Sequence, residues 1–189
     1  NESEVIALFK NIELIEEIEL YNFSDVYKDQ IISSNILNNY HFYVKELIDM
    51  EDCFHDKDGI HGTIHAKRVL LLNLLMANYL NLSEVDTSLL AVASIYHDIG
   101  RKDDYKCEKH GYDSFGILLE EGIATDMDSE YPQILKYIIE QHAIEDDKCF
   151  KNVHNYTIKD KEHAKYLLKI FKDCDALDRV RIGDLDLNY

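Results

Sequence analysis

With one proline (Pro132) and seven glycines in 189 residues, this chain holds few of the residues that tight β-hairpins require. Apolar residues recur instead at intervals of three and four, the period of an amphipathic helix. Val5, Leu8, Phe9, Ile12, Ile15 and Ile18 predict one helix, and Ile31, Ile32, Ile36, Phe42, Val44, Leu47 and Ile48 predict two more. The Asp, His and Gly content of 53–63 predicts a loop, followed by a helix over 64–80. Ser83 and Asp86 resemble a capping box that opens a further helix ending near Asp98. A polar loop over 100–109 precedes helices over 110–121, 132–142 and 159–182, with the charged stretch 145–161 expected as surface loop. Pro132 suits the first turn of its helix, where no backbone donor is needed. The expectation is all-α: about eight helices in a compact bundle. Residues 1–50 form an N-terminal helical extension, part of the body or a cap, and 51–189 the main domain.

Composition narrows what such a bundle does. Hydrophobic residues at 46% and charged residues at 30% suit a globular domain with a real core. Acidic side chains number 37 against 20 basic ones, a formal charge of −17, and that field repels duplex nucleic acid. A small phosphorylated substrate remains compatible, because a pocket can be positive on an acidic protein. Glu13, Glu16, Glu17 and Glu19 lie opposite the first apolar stripe and read as a solvated face. No apolar run approaches the roughly 18 residues of a membrane span, and no signal-peptide layout is present. Cys53, Cys107, Cys149 and Cys174 form no CxxC pair and are expected as reduced thiols in a cytoplasmic protein. The first residue is Asn1 rather than Met, so a processed or excised chain is expected.

The chemistry lies in the histidines, nine in all. His65 shares a helical face with Arg68, Val69, Leu72 and Met76; taken alone, it reads as a hydrogen-bonded core histidine. His97 and Asp98 close a segment, 89–96, that is apolar almost all round and therefore buried. A carboxylate there is costly unless a cation or several donors meet it. A neutral nitrogen beside an anionic oxygen suits Fe, Mn, Zn or Mg. His55 and Asp56 repeat the dipeptide in a polar loop, where no such argument applies. Near the end, Ala176, Leu177 and Val180 read as core-facing, so a neighbouring acid must turn inward. Asp178 and Arg179 suggest a simple pairing with a base.

The order His65, His97–Asp98, Asp175 resembles the HD superfamily of metal-dependent phosphohydrolases. HGTIHAKRV at 61–69 is similar to the HGxxHxxRV opening of one branch, and IYHDIGR at 95–101 to its HD-x-x-R loop. His110–Gly111, CDALD at 174–178 and RIG at 181–183 resemble later family strings. The GYP signature of cyclic dinucleotide phosphodiesterases and the HDxxED string of alarmone hydrolases are both missing.

The resemblance implies that His65, His97, Asp98 and Asp175 hold one divalent metal (Mn, Fe, Mg, Co, Ni or Zn). His110 and His142 stand where dinuclear members place ligands for a second ion, with Asp98 bridging. Metal-activated water would then attack a phosphate ester of a nucleotide or other small phosphorylated metabolite. Arg68 and Arg101 are expected as phosphate contacts, with Lys102 beside them; the other reading is salt bridges with surface acids. Asp104 matches a family position, and His61 is a loop residue within reach of substrate. A degenerate domain that binds a nucleotide or partner without turnover, and a di-iron oxygenase, are the alternatives. A homodimer is compatible, and no membrane or duplex partner is expected.

Overall fold

A computed structural model of the chain describes residues 34–179. The expected helix over 5–18, the acidic face Glu13–Glu19, Ile31, Ile32 and the RIG string at 181–183 lie outside the described residues. The described part is all helical: α1 (Ser34–Asp49), α2 (Thr63–Tyr79), α3 (Glu84–Tyr96), α4 (His110–Glu120), α5 (Glu130–Gln141), α6 (Asp146–Asn152) and α7 (Lys161–Leu177). Short 3-10 turns at Glu51–Cys53 and Val153–Asn155 complete it, and no strand occurs among the described residues.

α3 is the axis of the bundle. It packs against α1, α2, α4, α5 and α7, which is why its sequence is apolar on nearly every side. Leu89, Leu90, Ala91, Ala93 and Ile95 are all buried, together with Leu70 and Leu71 of α2, Tyr137 of α5 and Phe171 of α7. α1 contributes Ile36, Tyr40, Val44 and Leu47 to the same apolar cluster.

Local signals set the ends of the helices. Ser83 Oγ accepts from the Asp86 backbone N–H at 3.1 Å and donates to the Asp86 carboxylate at 2.8 Å, closing the expected cap of α3. Asp160 caps α7 through the His163 N–H at 2.9 Å. At the far end of α4, Gly122 adopts φ +69°, and the Ile123 N–H returns to Leu118 O at 2.9 Å.

Four expectations change. The stretch 145–161 is not surface loop: α6 and the second 3-10 turn bury Cys149, Val153, Tyr156 and Ile158. Those apolar residues stand four, three and two apart among charges, which hid the period. The last helix runs Lys161–Leu177 rather than 159–182, because Asp178 turns inward to partners on α2. Ala176 is exposed and Leu177 half-buried, since Ala164, Leu167, Phe171 and Cys174 carry the core face of α7. Over 34–49 the chain is a single helix, and its Phe42 and Ile48 face outward, 60% and 52% exposed.

Candidate metal centre

Three helix ends and two helix starts converge on Asp98. His97 is the C-cap of α3, with Asp98 next to it, and His142 is the C-cap of α5. His110 opens α4, and His65 is the third residue of α2. Asp175 reaches in from the last turn of α7. The centre therefore faces the C-termini of α3 and α5, where helix dipoles favour positive charge.

Each histidine is oriented by its Nδ1. His97 donates to Ser94 O at 3.0 Å, His110 to Cys107 O at 2.6 Å and His142 to Ile139 O at 2.7 Å. All three acceptors lie three residues upstream of their histidine. His65 Nδ1 meets Asp178 Oδ2 at 2.7 Å. Carbonyls and an ionised carboxylate only accept, so each Nδ1 carries a proton, and Nε2 is the nitrogen turned toward the centre.

Those Nε2 atoms point at one another. His65 Nε2 and His97 Nε2 are 3.1 Å apart, and His110 Nε2 and His142 Nε2 are 2.8 Å apart. Asp175 Oδ1 lies 3.2 Å from His65 Nε2 and 3.8 Å from His97 Nε2. Asp98 divides its oxygens between the two pairs. Oδ2 is 3.5 Å from His65 Nε2 and 3.4 Å from His97 Nε2, while Oδ1 is 3.0 Å from His110 Nε2 and 3.7 Å from His142 Nε2. Without a proton or a cation between them, such contacts repel. Ligands about 2.0–2.2 Å from a shared ion lie about 3–3.5 Å from each other, so the spacing fits divalent metal. His65, His97 and Asp175 make one group able to hold an ion, and His97, Asp98 and His142 another.

Electrostatics agree with a site built for cations. Burial drives the His97 imidazole down to about 3, so it stays neutral, and burial also lowers His110. Burial alone would raise the carboxyls. The imidazoles around Asp98 and the His65 contact at Asp175 outweigh it, and both stay ionised well below the usual carboxylate range. The Asp98 side chain is 2% exposed, whereas that of Asp175 is 29% exposed.

The remaining expected residues fall in different places. Arg68 is buried, with Nε 2.6 Å and an Nη 3.4 Å from the two oxygens of Asp178, so it backs the carboxylate that holds His65. Arg101 donates from Nε to Asp98 Oδ1 at 2.8 Å and from Nη1 to Tyr105 O at 3.2 Å. Lys102 is exposed and paired with Asp113 at 2.9 Å. Asp104 is exposed on the loop 101–109, and no hydrogen bond to a residue of the centre is found for it among the described residues. His55 and Asp56 are exposed and stand apart from the centre, and His163 pairs with Asp86 at 2.8 Å. All four cysteines are free thiols.

Three contributors exceed the sequence reading. His61, expected near substrate, places Nδ1 3.0 Å from Asp98 Oδ2 and forms a third candidate group with His65 and Asp98. Asp178 pairs with a base as expected, but also fixes the tautomer of His65, the carboxylate–histidine arrangement common behind metal ligands. Ser114 carried no signal beyond standing four residues after His110. Its hydroxyl donates to His97 O at 2.6 Å and accepts from the Gly100 N–H at 2.9 Å, tying α4 to the turn that holds Asp98. A Cβ at Gly100 would sit 2.2 Å from the Ser114 backbone nitrogen, so this approach requires glycine.

The described helices thus gather histidines and aspartates into groups able to hold a metal ion. The family model described as HD domain matches residues 62–180, well over half the chain. The chain belongs to the HD-domain family, whose members are in general metal-dependent phosphohydrolases that bind divalent metals. No curated protein and no solved structure gave a significant match. Among the described residues no helix is long and apolar enough to cross a membrane.

Proposed function

We propose that this chain is a metal-dependent phosphohydrolase or phosphodiesterase that cleaves a phosphate ester of a nucleotide or another small phosphorylated metabolite. The observation that carries the reading is the set of four Nε2 atoms gathered around the carboxylates of Asp98 and Asp175, with every Nδ1 held by a carbonyl or by Asp178. His65, His97, Asp98 and Asp175 would hold one divalent ion and His110, His142 and Asp98 a second; bound, they would activate water and neutralise phosphoryl oxygens.

The chain's own residues supply the rest. Asp178 and Arg68 keep His65 in one tautomer and one orientation. Ser114 holds the His97–Gly100 turn against α4, which keeps both pairs of histidines on Asp98. Arg101 is the basic group in contact with Asp98 and the candidate for binding a phosphoryl oxygen. An acidic surface would repel polyanions, which favours small substrates over nucleic acid. Four free thiols fit a reducing compartment such as the cytoplasm.

The test is a panel of phosphomonoesters, nucleotides and cyclic dinucleotides, incubated with Mn, Co, Ni, Mg or Fe. The expected result is cleavage of at least one ester that chelation abolishes and metal restores. Cleavage that survives full chelation would contradict the proposal.

A further inference from the structure

The two oxygens of Asp98 keep different company. Oδ2 meets the imidazoles of His61, His65 and His97. Oδ1 meets His110 and His142, but also the guanidinium of Arg101 at 2.8 Å. Arg101 is charged at every accessible pH. The Asp98 and Arg101 side chains are 2% and 13% exposed, so little water screens them. One half of the centre thus meets Asp98 through imidazoles alone, whereas the other half also meets a fixed positive charge.

We infer that Arg101 is a built-in counter-ion that occupies Asp98 Oδ1 and opposes the cation which His110 and His142 would take there. The inference rests on the two-ion reading above. It makes filling sequential: the half at His65, His97 and Asp175 loads first, and the half at His110 and His142 loads against the repulsion of a guanidinium. An incoming phosphate offers Arg101 another anion, so substrate and second ion favour each other, a coupling that must be reciprocal.

The contrast with Arg68 supports the assignment. Arg68 is held by both oxygens of Asp178, away from Asp98, and backs a ligand. Arg101 spends its second donor on the Tyr105 carbonyl, and Tyr105 N–H is held in turn by Asp103 at 3.0 Å. The loop 101–109 therefore touches the second half twice, through Arg101 at its start and through the Cys107 carbonyl on His110 near its end. Tyr105 is 80% exposed on that loop, a place for a spectroscopic probe beside Arg101.

The experiment is Mn(II) titration by calorimetry of the full chain, comparing wild type with Arg101→Gln and Arg101→Lys, with circular dichroism to verify folding. In Arg101→Gln the second ion should bind about tenfold tighter, with the first changed less than about twofold, because a charge is lost near one half alone. Arg101→Lys, which keeps the charge, should resemble wild type. The chain has no tryptophan, so Tyr105→Trp gives a single emitter whose fluorescence should change at the second equivalent of Mn(II). A second ion that binds Arg101→Gln equally or more weakly would overturn the inference, since Arg101 would then be orienting Asp98 for metal. Emission that changes at the first equivalent, or at neither, would overturn it too. A single equivalent in wild type and variant alike would overturn the two-ion reading itself, and the inference with it.

Discussion

Ser114 shows how much of the centre depends on a residue that touches no ligand side chain. It is fully buried, and its hydroxyl serves both the His97 carbonyl and the Gly100 N–H. Ser114→Ala leaves both backbone groups buried without that partner, at a cost of about 1–3 kcal/mol. Chemical denaturation of the metal-free protein should show that loss, and a stability within about 0.3 kcal/mol of wild type would contradict it. At this scale the sequence was partly legible. Asp98 stood out because an acid at the end of an apolar helix needs a cation. Asp178 was expected to pair with a base, but its pairing with Arg68 and His65 spans more than 100 residues and leaves no local pattern. The Nδ1 acceptors of His97, His110 and His142 are backbone carbonyls, which have no letter in a sequence. Arg68 and Arg101 could be named as basic groups near the motif, whereas what each one holds is a matter of tertiary contact.

Long apolar-rich helices announced themselves, and α2, α3, α4 and α5 start and stop within about two residues of the sequence expectation. Their caps are local chemistry: Ser83 with Asp86, and Gly122 in the left-handed region. α6 was illegible for a physical reason. Its charged residues outnumber its apolar ones, and its one buried residue, Cys149, joins Val153 and Tyr156 beyond the helix in packing onto α5 and α7. That packing encloses Glu140, buried with its carboxylate accepting from Tyr156 Oη at 2.7 Å and its Lys136 partner 3.8 Å away. Burial raises the Glu140 carboxyl above its ordinary value, against the Tyr156 bond and Lys136. A raised folded pKa means that the stability this group gives is present below the unfolded pKa and lost as pH rises through the folded one. Glu140→Gln, neutral at every pH, should remove that dependence and melt higher than wild type near pH 7. Melting curves across pH 4–8 check this, and a lower melting temperature for the variant at pH 7 would contradict it.

For the whole molecule, a formal charge of −17 and a phosphate substrate are compatible because the acids do two jobs. Most are solvated, whereas Asp98 and Asp175 meet four imidazoles whose Nε2 atoms turn toward the centre. Formal charge counts the chain without its metals, and two divalent ions beside Arg101 would make the cleft locally positive. Equilibrium dialysis against Mn(II), with metal and protein quantified afterwards, tests the central claim most directly. Saturated wild type should hold two ions per chain, and Asp98→Ala, which removes the oxygen atoms shared by both halves, should hold none. Two ions retained by a folded Asp98→Ala protein would contradict a centre organised around Asp98, and one ion in saturated wild type would contradict a shared carboxylate between two metals.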